Sequence, residues 1–407
     1  MSDPILATAQ SIRRLKGIPA SFRLAALALL RTQRGTLQFT LPDRRKIIYR
    51  NDASGPSAEI IVHDYNFVKL AFAGGDVGFA EAYMDSQWST PDLTKVLQFF
   101  SANFEAAGQL ARGGMVVRWA NMVRHFFNRN SRSGARRNIM AHYDLGNDFY
   151  RLWLDPSMTY SSAIFESPNQ SLEQAQQAKY RNICDRIGAG PSSSILEIGC
   201  GWGGFAEYAA KHRGSQVTCL TISPSQRDFA MQRMQREGLS ERVDIRLEDY
   251  RDHTGLYDGV ASIEMFEAVG EAYWPSYFAK IFECLKQGGK AALQIITIDD
   301  DLFASYRKRV DFIQRYIFPG GMLPGETALK EQFAKAGLRH DGVHYFGQDY
   351  ARTCNEWART FNEKWGEIAP LGFDEPFRRM WNFYLSYCEA GFLDGRINVG
   401  QFEVSKA

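Results

Sequence analysis

Apolar residues recur at two different periods along the second half of the chain, and this pattern predicts an α/β fold. Short apolar runs at 196–198, 215–221, 243–247 and 257–263 are each typical of a buried strand. Stretches with helical spacing, such as 205–213, lie between them. Strands that alternate with helices form a doubly wound sheet, whose parallel strands end at one common edge.

The first hundred residues have a different pattern, which predicts a separate small domain. Strand-like patches at 36–39 and 59–62 are followed by helical stretches. The chain has 407 residues with 45% apolar content, enough for one domain of about 250 residues and a smaller one. We therefore expect an α+β domain over residues 1–110, a basic linker over 111–137 and an α/β domain over 138–407.

A glycine-rich turn follows the first strand of the predicted sheet. Glu197 precedes Gly199, Gly201 and Gly203, and glycines at this spacing allow a sharp turn with close approach to a ligand. The spacing differs from the dinucleotide fingerprint. It fits S-adenosylmethionine (SAM) better, because its cationic ammonium group needs a carbonyl or a carboxylate such as that of Glu197. A tight turn without a ligand would give the same pattern.

Polar residues follow the other strands of the predicted sheet at the same edge. Asp249 is the candidate for the adenine side of SAM, and Gln226, shortly after Thr221, is the candidate for the ribose side. Acidic groups at strand ends suit ribose hydroxyls and the adenine amino group. Taken singly, each acid is equally typical of a solvated loop residue or a helix N-cap.

Charge is balanced over the whole chain but not along it. The net charge of +2 gives no reason to propose a nucleic-acid partner. No acidic residue occurs between Glu105 and Asp144, however, and Arg118 and Arg124 are two of seven arginines there, interleaved with Trp, Phe, Met and Val. Such a stretch is typical of a segment on an anionic membrane surface, and equally of a basic helix packed on its own domain.

The N-terminal apolar run and the cysteines bear on location. Residues 24–30 are too few to span a bilayer, and no small-residue cleavage site follows them. The six cysteines have neither metal-ligand spacing nor a compact disulfide pattern. We expect no metal site, and a protein of the reducing cytoplasm whose thiols serve as small buried groups.

Motifs spread over most of the chain resemble those of one family. The motifs are HYDLGND (142–148), MTYSS (158–162), EQAQQAK (173–179), the glycine turn (197–204), LTIS (220–223), MFEAVG (265–270) and YIFPGGMLP (316–324). With these motifs the chain resembles the cyclopropane fatty-acyl-phospholipid synthases and their mycolic-acid relatives, and a shorter stretch at 78–88 resembles the N-terminal lipid-binding domain of the bacterial phospholipid enzymes.

The resemblance implies a class I SAM-dependent methyltransferase with an acyl-chain tunnel and a small lipid-binding domain. The implied reaction alkylates the cis double bond of an unsaturated phospholipid acyl chain, at the inner face of the membrane, by an enzyme that is often a homodimer. Tyr160 and Ser161 would contact the methionine part of SAM. A methyltransferase for a soluble small molecule is the alternative.

The resemblance also implies a bound bicarbonate that serves as the base. Its ligand positions fall on Glu267, the Ile296 backbone and Tyr350, and on Ser162 and Gln294, where the family usually has cysteine and histidine. Serine keeps a hydrogen-bonding group, whereas glutamine offers only amide hydrogen bonds and cannot carry a proton.

These departures leave the product open between a cyclopropane and a methyl-branched or methylene chain. They also leave bicarbonate binding open. Ala268 stands where the family usually has histidine, which removes another titratable group. Glu267 is equally typical of an acid at a helix N-terminus, and Tyr350 of a buried core tyrosine.

Overall fold

The computed structural model describes residues 3–104 and 145–407, and within these the chain forms two compact units. The first contains the described residues up to 104 together with 309–315 and 372–394. The second contains the remaining described residues, including the predicted sheet. The contiguous division expected from the sequence therefore differs from the observed grouping, because two later segments pack with the N-terminal unit. The predicted basic linker, 111–137, lies outside the described residues.

The first unit is built on a mixed five-stranded sheet. The strand order is β1-β3-β2-β4-β5, in which β2 runs antiparallel to β3 and parallel to β4. Alternate residues of β2 and β3 are buried, as expected of strands with one face on a core. Its strands are β1 (Ile5–Leu6), β2 (Arg34–Thr40), β3 (Lys46–Arg50), β4 (Ala53–Val62) and β5 (Trp88–Ser89).

Helices of the first unit pack on this sheet and on one another. The long helix near the C-terminus belongs here, since its Arg379 lies over the Tyr83 ring and its Glu389 accepts a hydrogen bond from Thr94 Oγ1 at 2.7 Å. The helices are α1 (Ala9–Arg14), α2 (Ala20–Ala28), α3 (Asn66–Gly74), α4 (Asp76–Met84), α5 (Leu93–Ala102) and, late in the chain, Glu375–Leu393 (α15 in chain order).

The second unit contains a seven-stranded sheet within the described residues. Its strand order is β11-β12-β10-β9-β6-β7-β8, with β12 antiparallel to both neighbours and the other pairs parallel. The strands are β6 (Ser194–Ile198), β7 (Gln216–Thr221), β8 (Val243–Leu247), β9 (Tyr257–Ile263), β10 (Leu285–Ile298), β11 (Leu338–Tyr345) and β12 (Ile397–Lys406). The predicted doubly wound sheet is confirmed.

Helices of the second unit connect these strands, and several begin at the caps that the sequence provides. Ser171 and Ser223 each accept a hydrogen bond from a backbone N–H in the first turn of the helix that follows. The helices are α6 (Asn147–Trp153), α7 (Leu172–Arg186), α8 (Gly204–Tyr208), α9 (Pro224–Arg236), α10 (Trp274–Cys284), α11 (Asp300–Tyr306), α12 (Glu326–Lys335), α13 (Gly347–Glu363) and α14 (Trp365–Ile368). A π-helical turn at Ala209–Arg213 extends α8. Another π-helical turn, Ile313–Ile317, begins in the segment 309–315 that belongs to the first unit.

Two apolar clusters cover the faces of the seven-stranded sheet. One contains Leu196, Val260 and Leu293 from the central strands with Phe278 and Ile281 of α10. The other packs α7 and α8 against the opposite side chains of the same strands. Both faces are apolar because parallel strands are covered by helices on both sides. As expected, all six cysteines are free, and all except the half-buried Cys388 are buried.

Candidate functional site

The glycine turn lies at the carboxyl end of β6, the central position where open α/β sheets bind ligands. Gly199, Gly201 and Gly203 all have left-handed backbones, with φ of +84°, +51° and +84°. A Cβ atom at Gly199 would lie 2.6 Å from Met265 Cγ, whereas one at Gly201 would meet nothing within 4 Å. The turn thus requires glycine and leaves open space beside Gly201 that suits a ligand.

Glu197 points into the second unit from β6. Its side chain is 2% exposed, and Cys219 Sγ donates to its Oε2 at 3.5 Å. Burial raises the pKa of Glu197 to about 7, which the Cys219 hydrogen bond and the charge of Lys179 oppose. A buried carboxyl group of this kind is stabilised in its ionised form by a nearby cation.

The two other candidates for SAM binding already have internal partners. Gln226 is buried, and its Oε1 accepts from Thr221 Oγ1 at 3.1 Å. Asp249 holds Arg251 through both carboxylate oxygens, with Nε at 2.8 Å and Nη2 at 2.5 Å. Gln226 would therefore offer its amide N–H groups to a ligand, and Asp249 only its remaining lone pairs.

Tyr160 and Ser161 lie on the loop between α6 and α7, each in a different environment. The ring of Tyr160 packs against Trp153 and Trp357 with centroid distances of 5.4 and 5.3 Å. Ser161 is buried and its Oγ accepts from Lys179 Nζ at 2.7 Å. Lys179 is fully buried, and desolvation lowers its pKa to about 7 against the attraction of Glu264.

Three residues of the predicted bicarbonate set converge on one carboxylate, that of Glu264. The Ser162 backbone N–H and Gln294 Nε2 donate to its Oε1 at 2.8 and 2.7 Å, and the Tyr350 hydroxyl donates to its Oε2 at 2.6 Å. Ser162 and Gln294 are fully buried, whereas Glu264 is half-buried at the end of β9. The Ser162 hydroxyl itself donates to the Ala163 carbonyl at 3.0 Å.

The two remaining members of that set contact each other. The Ile296 N–H donates to Glu267 Oε1 at 2.6 Å, and Glu267 Oε2 is buried without a hydrogen-bond partner among the described residues. Burial raises the pKa of the Glu267 carboxyl to about 8, and the nearby Glu264 carboxylate adds to the rise. The structure thus groups two carboxyl groups with all five predicted residues.

Sequence reasoning missed three residues of this cluster as site residues: Glu264, Lys179 and Gln401. Glu264 directly follows the apolar run 257–263, and an acid just after a predicted parallel strand is the signal that singled out Asp249. Gln401 lies opposite Gln294 across the β10–β12 pair, and its Nε2 donates to Gln294 Oε1 at 3.1 Å. That contact depends on an antiparallel strand about a hundred residues later in the chain.

The strand order and the glycine turn together define a class I SAM-dependent methyltransferase, and the protein is an enzyme of that class with SAM as its cofactor. More particularly, the chain belongs to the mycolic acid cyclopropane synthetase family, whose model matches residues 130–402.

Similarity to individual proteins agrees with this family assignment. The chain is 38% identical to a tuberculostearic acid methyltransferase of Mycobacterium tuberculosis over 81% of this chain and 78% of that protein. It is 36% identical to the cyclopropane-fatty-acyl-phospholipid synthase of Escherichia coli over 86% and 88%. A crystal structure of the mycolic acid cyclopropane synthase CmaA1 with SAH and CTAB superposes with a TM-score of 0.63 at 30% identity, covering 67% of this chain and 98% of that one.

Proposed function

We propose that this enzyme transfers the methyl group of SAM to the cis double bond of an unsaturated phospholipid acyl chain. The product is a cyclopropane or a methyl-branched or methylene chain. The names of the relatives support a lipid acyl chain as the substrate, and none of them favours the soluble-substrate alternative. The observation that carries the proposal is the cluster of two carboxyl groups and their five predicted neighbours at the carboxyl edge of the sheet.

The same part of the second unit contains aromatic rings suited to this reaction. Addition of a methyl cation to a double bond leaves positive charge on the neighbouring carbon, which ring faces and carboxylates stabilise. The Tyr160 ring packs at a tilt against Trp357 with a centroid distance of 5.3 Å, and the centroids of Trp357 and Tyr350 are 6.1 Å apart. Tyr350 in turn donates to Glu264. Rings and carboxylates are therefore contiguous, and such a wall excludes water that would quench the cation.

SAM supplies an electrophilic methyl group when bound. The residues that would hold it line the glycine turn and the neighbouring strand ends. Glu197 would attract its positive charge, and Gln226 and Asp249 would bind its nucleoside hydroxyl and amino groups. The full proposed set is Tyr160, Ser161, Glu197, Gly199, Gly201, Gly203, Thr221, Gln226 and Asp249.

Loss of a proton determines which product forms. Loss from the newly added methyl group closes a cyclopropane ring or, after a hydride shift between the two former alkene carbons, gives a methylene group, whereas loss from a chain carbon gives a methyl-branched alkene. Either outcome requires a base beside the reacting carbons. The residues proposed for this part of the site are Ser162, Glu267, Gln294, Ile296 and Tyr350.

The test is mass spectrometry of the fatty acids after incubation of the protein with methyl-deuterated SAM and vesicles of dioleoyl phosphatidylglycerol. We expect the deuterium-labelled methyl carbon of SAM to appear in the oleoyl chains. Retention of two deuterium atoms identifies ring closure or a methylene product, which hydrogenation distinguishes. Retention of all three identifies proton loss from the chain. Equal SAM consumption with fully saturated vesicles would contradict the proposal.

The setting of the reaction is proposed on the sequence. The arginine-rich segment favours a peripheral protein on the anionic inner face of the membrane, in contact with the cytoplasm. Among the helices of residues 3–104 and 145–407, none is both long and apolar enough to cross a bilayer. The homodimer implied by the family resemblance stays a prediction, and light scattering of the purified protein tests it.

A further inference from the structure

The hydrogen-bond donors that the family resemblance assigns to bicarbonate are already engaged by side chains of this protein. Ser162, Gln294 and Tyr350 all donate to Glu264, and the Ile296 N–H donates to Glu267. A bicarbonate ion would have to displace these contacts and lie next to the Glu264 carboxylate, which has the same sign of charge. Like charges in close contact repel each other strongly where they are buried from water. The residues present therefore do not fit bicarbonate as an additional anion.

We propose that the Glu264 carboxylate takes the place of bicarbonate as the base of the reaction. This inference rests on the proposed function. In the first step the π electrons of the double bond form the new C–C bond to the methyl carbon, and the methyl–sulfur bond breaks. A Glu264 oxygen then takes a proton either from the new methyl group, whose C–H electron pair forms the ring bond to the cationic carbon, or from a chain carbon next to the cation, whose C–H electron pair forms the new double bond.

The backbone of Glu264 supports a functional role. Its φ of +49° is left-handed, a conformation that a residue with a Cβ rarely adopts. Such strain persists where surrounding contacts fix it, and it is concentrated at functional sites. Here the Glu264 N–H donates to the Gln294 carbonyl at 2.8 Å, so that β10 fixes the turn. This conformation brings the carboxylate to the three donors.

The neighbours of Glu264 are oriented to hold a carboxylate. Gln401 Nε2 donates to Gln294 Oε1, which turns the Gln294 amide N–H groups toward Glu264 Oε1 and the Ser162 carbonyl, at 2.7 and 3.3 Å. Glutamine in place of the family's histidine thus acts as a donor to a built-in carboxylate. The buried charge of Lys179 also attracts Glu264.

These contacts keep the carboxylate available as a base. Burial raises the pKa of Glu264, while the hydrogen bonds from Tyr350, Gln294 and Ser162 and the charge of Lys179 oppose the rise. The Glu264 residue is half-buried rather than fully buried. A general base must lie within reach of the proton that it removes.

The experiment compares the wild-type protein with Glu264→Gly and Glu264→Gln in carbon-dioxide-free buffer and in buffer with added bicarbonate. Vesicles of dioleoyl phosphatidylglycerol and methyl-labelled SAM are the substrates. We expect wild-type turnover to be the same in both buffers. Glu264→Gly should lose at least about 100-fold in kcat, the usual scale for removal of a general base. Added bicarbonate or acetate should restore part of it, because glycine leaves a carboxylate-sized space lined by the same donors.

Glu264→Gln is the contrasting variant. Its side-chain amide fills the space that glycine would leave, so that added bicarbonate or acetate should not restore turnover. Glycine also relieves the left-handed strain, so Glu264→Gly should keep the wild-type melting temperature and SAH affinity. The matched control is Glu241→Gly, at an exposed glutamate between α9 and β8, which should leave turnover unchanged.

Three results would overturn the inference. They are wild-type turnover that requires bicarbonate, Glu264→Gly turnover near the wild-type level, and a Glu264→Gly defect that neither anion reduces. If the wild-type protein alkylates no unsaturated vesicle in either buffer, the proposed function fails and this inference fails with it. Alkylation by the wild-type protein combined with any of the three results rejects the role of Glu264 alone.

Discussion

At the scale of single residues, two carboxyl groups three positions apart have different environments. Glu264 receives three hydrogen bonds, whereas Glu267 receives one from Ile296 and has one buried oxygen without a partner among the described residues. Donors stabilise a carboxylate, and desolvation with a neighbouring negative charge destabilises it. The environments therefore favour an ionised Glu264 and a protonated Glu267, a separation typical of paired acids in active sites.

Tyr350→Phe removes the hydroxyl that donates to Glu264 Oε2 at 2.6 Å and keeps the ring against Trp357. We expect kcat to fall about 10-fold to 100-fold, since a hydrogen bond to a charged group contributes roughly 1.5–3 kcal/mol. SAH affinity, measured by calorimetry, should not change. Tyr208→Phe, which removes a hydroxyl from a ring stacked on His212, is the control. Equal loss of SAH binding and turnover in Tyr350→Phe would show a structural role instead.

Glu267 makes stability depend on pH in a defined direction. Because its pKa is about 8 in the folded protein and near 4.5 when unfolded, the folded state binds the additional proton between these values. Its contribution to stability is thus greatest below the unfolded pKa and is lost as the pH rises through about 8. Glu267→Gln should therefore raise the melting temperature more at about pH 8 than at about pH 5.

Differential scanning calorimetry across that range measures the effect on the folded protein. Glu173→Gln, at an exposed acid in the first turn of α7, is the matched control and should leave the pH dependence as in the wild type. If Glu267→Gln changed the melting temperature by the same amount at every pH, Glu267 would not be the group that causes this pH dependence.

At the scale of elements, strand pairing brings distant residues into the cluster. The β10–β12 register sets Gln294 opposite Gln401, and the parallel β9–β10 pair brings the Glu264 turn beside the same segment. The loop before α7 supplies Ser162 from the other direction along the chain. Each strand presents only one or two residues to the site, because successive side chains point to opposite faces. The site therefore forms at one edge of the sheet from residues that several strands contribute.

The turn after β6 can be tested by adding one methyl group. Gly199→Ala and Gly238→Ala both place alanine at a left-handed position, with φ of +84° and +68°, and both should lose about 1–2 kcal/mol of unfolding free energy. Only the Gly199 Cβ would clash, at 2.6 Å from Met265 Cγ, whereas the Gly238 Cβ would meet nothing within 4 Å.

We expect a further loss of stability and of SAM affinity in Gly199→Ala alone. Urea denaturation and calorimetric titration measure the two effects. Equal behaviour of both variants would mean that the turn accommodates a Cβ and that the close approach to Met265 is unimportant.

At the scale of the whole molecule, the order of the segments along the chain differs from their grouping into compact units. Residues 309–315 and 372–394 leave the second unit to join the first, where Arg315 pairs with Glu81 at 3.0 Å and Arg379 donates to the Trp88 carbonyl at 2.8 Å. The net charge of the whole chain is near zero, although the segment between Glu105 and Asp144 contains no acidic residue. The role proposed for that stretch depends on its charge alone.

Arg118→Glu combined with Arg124→Glu should weaken binding to anionic vesicles at low salt. Each reversal removes attraction of about 1 kcal/mol per residue and adds repulsion. Sedimentation with phosphatidylglycerol vesicles over a salt series measures the change. Arg246→Glu with Arg339→Glu changes the net charge equally at exposed residues of the second unit and should have a smaller effect. Equal loss in both double variants would assign binding to net charge rather than to the segment.

The sequence by itself determined the second unit's sheet, the glycine turn and the family. The predicted strands agree closely with β6 to β9 in position. The inner strands β6 and β9 are largely buried apolar runs, as expected of parallel strands covered on both faces, whereas the edge strand β8 is mostly exposed and the burial predicted for it is wrong. The candidates Ser162, Gln294, Ile296, Tyr350 and Glu267 could be named because the surrounding motifs resemble those of the family. Their roles stay predictions.

Only the tertiary structure decided what these side chains contact. No local pattern relates Glu264 to Ser162, or Gln294 to Gln401, because each pair lies about a hundred residues apart. The same holds for the two segments that join the first unit. Such contacts depend on strand order, register and a left-handed turn, all of which are set by long-range packing rather than by local preference.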